Sequence, residues 1–293
     1  MEIYKPCKGQ GIYYILGLLL VYVLLFTAGL FLVNTYILFS LLKIAFVVIT
    51  AYQLYYILQY TTLKYGTDEK NLYIINFIKT IKIPYEEIEY YKVEEGNING
   101  VKLSGLGNNN FALGKSVIKK IGTTNMYVTS NKNIIYLKVN EKNYAITPMD
   151  FKSFKSVLEK NNEVESDWTR NEEKHVSLHK DRGFILPLIL SSIIIFILTL
   201  NPFILYLTDK LPSSMPLNFD SSFLPVDKGT GKQFAFNQMI YGVLNMAILF
   251  CMYYASHFYA KYDKKSAKKY MYISLLIAAA FLIIQIRILL TFK

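Results

Sequence analysis

Among the polar side chains inside otherwise apolar runs of this chain, Lys43, Asn201, Asn237, Gln238 and Arg287 stand out. In a low-dielectric setting such a group either pairs with a neighbour or serves a ligand, so each is a candidate for binding chemistry. A second group, Asn218, Asp220 and Asp227, falls in the proline-containing stretch LPSSMPLNFDSSFLPVDKGTGK, residues 211–232. Elsewhere the chemistry is thinner. His175 and His179 are spaced to share a helix face, with Glu172 within a turn, which makes half a metal site. A full ligand set is missing, since there is no H-E-x-x-H and no cysteine pair. The segment GTGK lacks both the first glycine of a phosphate loop, Val226 standing in its place, and the Ser or Thr after Lys232. Glu86, Glu87 and Glu89 cluster on a strand and turn, where a solvated surface is expected. No nucleophile motif or dinucleotide fingerprint occurs. The expectation is therefore a protein that is not an enzyme, with no catalytic residues, cofactor or metal.

The elements that must position these groups are hydrophobic. Residues 11–33 carry no charge, and a helix of that length spans the roughly 30 Å core of a bilayer. Four further spans are expected near 37–60, 183–207, 234–258 and 270–290, with only Lys43 and Arg287 charged within them. The first apolar run is too long for a signal peptide and has no small-residue cleavage site, so it is expected to be retained. Lys5 and Lys8 precede it and the turn NTY after it is uncharged, which places the N-terminus in the cytoplasm. Five crossings then put 61–182 inside, 209–233 outside, 259–269 inside and the C-terminus outside. The inner segment holds five lysines against Asp263, in keeping with that orientation. A net charge of +11 is read as basic loops beside anionic lipid, with Lys264, Lys265, Lys268 and Lys269 as candidate contacts and no nucleic-acid partner. Cys7 and Cys251 fall in different compartments, so no disulfide is implied; Cys7, four residues before the first span, also carries a weak palmitoylation signal.

Four segments follow: a transmembrane hairpin 1–61, a cytoplasmic domain 62–160, a charged linker 161–182, and a three-helix membrane domain 183–293 with an outer proline-rich loop 209–233. The cytoplasmic segment reads as seven strands, LYIINF, TIKIP, IEYYKV, GVKLSGLG, NMYVTS, NIIYLKV and NYAIT, rich in Ile, Val and Tyr between Asn, Gly and Lys turns. In TPMDFKSFKSVLEKN a helix follows, capped by Thr147, with Pro148 first and Asp150 as the capping acid; Phe151, Phe154 and Leu158 share its face. This order predicts a small β-barrel closed by one amphipathic helix.

On IKIPYEEIEYYKV, GVKLSGLGNNNFALG and YVTSNKNIIYLKVNEKNYAITPMDFKSF, the segment 68–160 resembles the bacterial version of the pleckstrin-homology (PH) domain. The resemblance implies a seven-stranded barrel with a C-terminal helix and, from eukaryotic relatives, a headgroup site of basic residues in the first strand-to-strand loop. Here only Lys79 and Lys82 match it. Without an arginine fork they suit general attraction to an anionic leaflet, about 1 kcal/mol per lysine, better than headgroup recognition.

The outer stretch resembles a membrane domain of unknown function shared with immunity proteins against the sporulation-delaying toxin. Leu211, Pro212, Pro216, Phe219, Asp220, Pro225, Asp227, Gly231 and Lys232 carry that likeness. Asn218 replaces the usual His, and Val226-Asp227-Lys228 replaces a tryptophan-containing turn. The prolines fix φ and hold the connection turned and rigid. Since Lys43, Asn201, Asn237, Gln238 and Arg287 all fall in the outer halves of their helices, the expectation is a shallow outer-face site. There Lys43 and Arg287 meet Asp220, Asp227 or an external ligand; snorkelling cations and amides bonded between helices would be the structural alternative. The function so implied is a sensor, regulator or immunity-type protein of the bacterial cell membrane, with a protein or peptide partner. The alternative is a transporter or its accessory subunit, although no acidic residue lies in any span and no inverted repeat is visible. The oligomeric state is not set by the sequence.

Overall fold

The computed structural model describes residues 1–161, 164–166, 168 and 178–292. The chain forms two compact units, one of Met1–Ala28 and Ile44–Glu172, the other of Gly29–Lys43 and Glu173–Lys293. Helices α1 (Gly11–Leu32) and α2 (Tyr36–Thr62) run through both.

The first unit begins with β1 (Glu2–Tyr4), which returns after the two helices to pair antiparallel with β2 (Lys64–Thr67). Then follow β3 (Asn71–Ile75), β4 (Thr80–Pro84), β5 (Ile88–Glu94), β6 (Gly100–Gly107), β7 (Ala112–Ile118), β8 (Gly122–Val128), β9 (Ile134–Val139), β10 (Lys142–Ile146) and α3 (Phe151–Lys160). Two sheets result, ordered β1-β2-β3-β4 and β5-β9-β10-β8-β7-β6, with β8 and β10 parallel. The expected closed barrel is therefore corrected to two open sheets. Pro84, which has no N–H to donate, and the 3₁₀ turn Tyr85–Glu87 interrupt the ladder, and β5 pairs with β9 instead. The seven-strand count is also too low, because β1, β2 and β7 are strands as well. KYGT is too short to show alternation, and Gly114, Lys115 and Ser116 hide the period of β7.

Both sheets and α3 share one core: Tyr65, Leu72 and Ile74 meet Leu113, Ile135, Leu137 and Ile146, and Phe154 and Leu158 of α3 are wholly buried against them. The helix starts later than expected. Asp150 is its N-cap, its carboxylate accepting from Ser153 N–H at 3.1 Å. Thr147 is engaged elsewhere, since its N–H donates to the Tyr65 hydroxyl, its Oγ1 accepts from Thr129 N–H, and its carbonyl accepts from Cys7 N–H.

The second unit contains α4 (Arg182–Leu207), the hairpin β11 (Met215–Phe219) and β12 (Pro225–Gly229), α5 (Gly231–Ala260) and α6 (Lys264–Thr291). The last three long helices pack pairwise. Gly242 of α5 lies against Thr199 of α4 where a Cβ would collide with the threonine hydroxyl, so the close approach needs a glycine. Inside α4, Pro202 has no N–H for the Leu198 carbonyl four residues earlier. Gln285 of α6 supplies the missing donor, its Nε2 lying 2.9 Å from Leu198 O and 3.4 Å from Gln238 Oε1.

Among the described residues five helices, α1, α2, α4, α5 and the Ser266–Thr291 part of α6, are long and apolar enough to cross a membrane. Large apolar side chains such as Leu24, Phe31, Val47, Phe196 and Leu276 stand exposed along them, as a bilayer would require.

Candidate functional site

The hairpin is held by its own polar groups. Asp220 ends β11, and its Oδ1 accepts from the N–H groups of Ser222 and Leu224 at 2.9 and 2.8 Å. Its backbone N–H donates to Leu224 O, its carbonyl accepts from Phe223 N–H, and it bridges to Thr35 ahead of α2. Asn218 Nδ2 donates to Asp227 Oδ2 across the strands at 3.0 Å. One oxygen of each carboxylate, Asp220 Oδ1 and Asp227 Oδ2, thus accepts within the hairpin. The helix that follows is capped by Thr230, which accepts from Gln233 N–H while the Gln233 side chain accepts from Thr230 N–H. The segment GTGK is the end of β12 and this capping box, a signal that the sequence T-x-x-Q carries.

This turn forces Phe223 to φ 66°, a left-handed backbone that costs a bulky residue about 1–3 kcal/mol. In that conformation the Phe223 ring stacks on Phe219 with centroids 4.6 Å apart and planes 6° from parallel. Tyr36, the first residue of α2, meets its edge at 4.7 Å. Met215, Phe234 and Ile288 complete the buried cluster beneath.

Arg287 of α6 sits on this platform. Its guanidinium is 4.0 Å from the Phe223 ring centre, and Nη1 donates to the Tyr36 hydroxyl at 2.8 Å. The residue is exposed, and no carboxylate among the described residues lies within 4.0 Å of it. Lys43 bends back over the ring of Phe39, 4.1 Å away. The structure therefore brings Arg287 to the hairpin through aromatic rings rather than through Asp220 or Asp227. Asn201 and Asn237 are half-buried, and Gln238 is buried with Gln285. Tyr36, Phe223 and Gln285 were not marked as site residues by sequence reasoning. The signal for Gln285 was Pro202, whose presence in a span demands a donor from a neighbour.

Beside the platform lies a cavity of about 320 Å³, lined by residues 35–38 and Leu41 at the start of α2, Leu217, Asn218 and Phe219 of β11, Tyr241 and Leu244 of α5, and Phe281 of α6. A wider hollow of about 860 Å³ lies on the first unit, between the β2–β3 turn and α3. Its acid, Asp68, accepts from Lys70 and Asn71 N–H and from the Tyr73 hydroxyl, which hold its pKa down at about 2.

The basic candidates divide. Lys268 and Lys264 lie 2.7 and 3.6 Å from Asp181, the N-cap of α4, and the Lys268 hydrogen bond holds the Asp181 carboxyl below its usual range. Lys269 is exposed, and the side chain of Lys265 lies outside those described. Lys79 and Lys82 flank the β3–β4 turn, whose tip presents Phe77 and Ile78 at 61% and 65% exposure. The register Lys64↔Ile75 sets this turn level with the end of α2 at Thr62. His175 and Glu172 lie outside the described residues. His179 joins an aromatic cluster in the second unit, 3.3 Å from the Tyr253 hydroxyl and 5.3 Å between ring centres from His257. No group of three or more His, Cys, Asp or Glu among the described residues is placed to hold a metal.

Residues 63–162 match the family model described as Bacterial PH domain. The chain is also 47% identical to an uncharacterized protein of Clostridium acetobutylicum, over the whole of this chain and 99% of the relative. The chain belongs to the same family as that clostridial protein and carries a bacterial PH domain between its second and third long apolar helices. No solved structure matches it.

Proposed function

We propose that this chain is a non-enzymatic multi-pass protein of the bacterial cell membrane that acts as a sensor or regulator. Its N-terminus and PH domain are cytoplasmic, and its hairpin and C-terminus face outside. The observation that carries the reading is the exposed Arg287 guanidinium, held on Phe223 and Tyr36 by a hairpin whose own carboxylates each accept within it. A cation oriented in this way, with donors left over, suits an external anionic agent. Tyr36 opens α2, and the other end of α2 is fastened to the PH domain: Gly105 N–H donates to Tyr52 Oη, and the Tyr60 hydroxyl lies 3.5 Å from Thr129 O. A change of angle at Tyr36 therefore has a covalent route to the domain. Phe77, Ile78, Lys79 and Lys82 suit contact of the domain with an anionic inner leaflet. Immunity against a peptide toxin is one version of this function, resting on the resemblance of residues 211–232 alone.

The test has two arms. In a background without Cys7 and Cys251, Ser222→Cys should react with a membrane-impermeant maleimide in intact cells, and protection until lysis would reverse the orientation. A deletion strain should lose survival against at least one of a panel of membrane-active peptides and envelope stresses, recovered by the wild-type gene and not by Arg287→Met. Unchanged survival across the panel would overturn the sensing role.

A further inference from the structure

We infer that the outer site binds an anionic phospholipid, with its phosphate on Arg287 and one acyl chain in the cavity beside the hairpin. The inference rests on the orientation and the Arg287 site proposed above, and names the ligand class. Its first support is the continuity of the two halves. Tyr36 lines the cavity and accepts from Arg287, and Phe219 lines it and stacks under Phe223, which carries the guanidinium. A molecule with an anion at one end and an apolar chain behind it meets both with no gap between.

The second support is charge. Arg287 has five donors and gives one to Tyr36, with no carboxylate among the described residues in reach. Its planar fork matches phosphate, while Asp220 and Asp227 accept instead from Ser222, Leu224 and Asn218 within the hairpin. The third support is where the cavity opens. Two of its lining residues, Leu38 and Leu244, are also 55% and 47% exposed, and both belong to helices apolar enough to cross a membrane. The mouth thus lies on the face that a bilayer covers, and the occupant that can enter from there is a lipid. At about 320 Å³ the volume is at the small end for ligand sites, which fits one chain and not a folded partner.

To test this, the full-length protein in a neutral detergent is titrated with phosphatidylglycerol, with phosphatidylcholine and with inorganic phosphate. Retained adducts are read by native mass spectrometry and protection by thermal unfolding. Phosphatidylglycerol should be retained about tenfold more strongly than phosphatidylcholine, because both offer the same phosphodiester to Arg287 but the quaternary ammonium of phosphatidylcholine offsets its charge and opposes the guanidinium, and inorganic phosphate should give no protection. Arg287→Met should abolish the preference for phosphatidylglycerol, and Leu41→Trp, which fills the cavity, should lower retention of both lipids. If Arg287→Met does not insert, Tyr36→Phe keeps the ring and removes the orienting hydroxyl, and should reduce the preference about threefold. Equal retention of the two lipids by the wild type, undiminished preference in Arg287→Met or Tyr36→Phe, or protection by inorganic phosphate alone would overturn the inference. Cysteine labelling at position 222 and the deletion phenotype do not depend on lipid retention, so loss of the inference would leave the sensing role to stand or fall separately.

Discussion

The PH domain and the β11–β12 hairpin use the same residue types to opposite ends. In the domain, the polar tip of Tyr65 is turned onto the backbone. The hydroxyl of Tyr65 donates to Tyr127 O at 2.6 Å and accepts from Thr147 N–H at 3.1 Å, and burial pushes its pKa up. Tyr60 and Tyr52 of α2 meet backbone groups of the domain, at Thr129 O and Gly105 N–H. In the hairpin the rings are buried and the charge on top of them is left facing out, with Phe223 held at a strained φ to support it. One region bonds a buried hydroxyl to its own backbone and so fixes a geometry. The other holds a cation on a prepared platform and so has something to offer a ligand.

Hydrogen exchange resolved by region, on the protein in detergent or nanodiscs, separates the two. The largest effect is expected for Phe154→Ala, which empties a fully buried site packed edge-on to Tyr4 at 5.1 Å. It should destabilise the PH domain by about 3–5 kcal/mol, while protection in α4 to α6 stays the same. Loss of protection in both would show that the two units do not open independently.

Next in size is Tyr65→Phe, which leaves Thr147 N–H and Tyr127 O without their partner in the core. A loss of about 1–3 kcal/mol is expected, again confined to the domain. A neutral result would mean that the hydroxyl is not what joins β2 to β8 and β10. In the second unit, Gln285→Leu removes the donor to Leu198 O and should cost about 1 kcal/mol. Protection should fall in α4 around Pro202, with the PH domain unaffected. If α4 is unchanged, the Pro202 account of Gln285 is wrong.

The smallest effect concerns pH. The pKa of Asp68 is lowered to about 2 in the fold by Lys70 N–H and the Tyr73 hydroxyl, against about 3.9 for a free aspartate. Because the folded value is the lower, this contribution is complete above about pH 4 and is lost as pH falls towards about 2. Asp68→Asn should flatten that acid limb in the β2–β3 turn and leave the hairpin's pH response as it was. An unchanged acid limb would remove Asp68 from the account.

Much of the architecture is legible along the chain because it is written in local periods. Long apolar runs mark the five long helices, and Phe154 and Leu158 mark the inward face of α3. What escaped reading depended on residues far apart. β1 is a strand only because β2, some sixty positions later, pairs with it, and Thr147 caps no helix because Tyr65, Thr129 and Cys7 claim its donors and acceptors. The candidate site divides in the same way. Arg287 and Asp220 stood out as charges in unusual places, but their pairing was not determined by type. Asp220 turned to its own loop, and Arg287 to a tyrosine 251 positions away.

By itself, then, the amino-acid sequence determined the helices apolar enough to cross a membrane, the β-rich segment between the second and third, and the charged residues set in or beside those helices. Hydrophobicity and backbone propensity are properties of short windows, and they survive without knowledge of the rest. Only the tertiary structure decided that the sheets stay open, that Gln285 answers Pro202, and that Arg287 rests on Phe223 and Tyr36 beside an apolar cavity. Those choices are competitions among several possible partners, and they are settled by which groups the fold brings within hydrogen-bond and ring-contact distance.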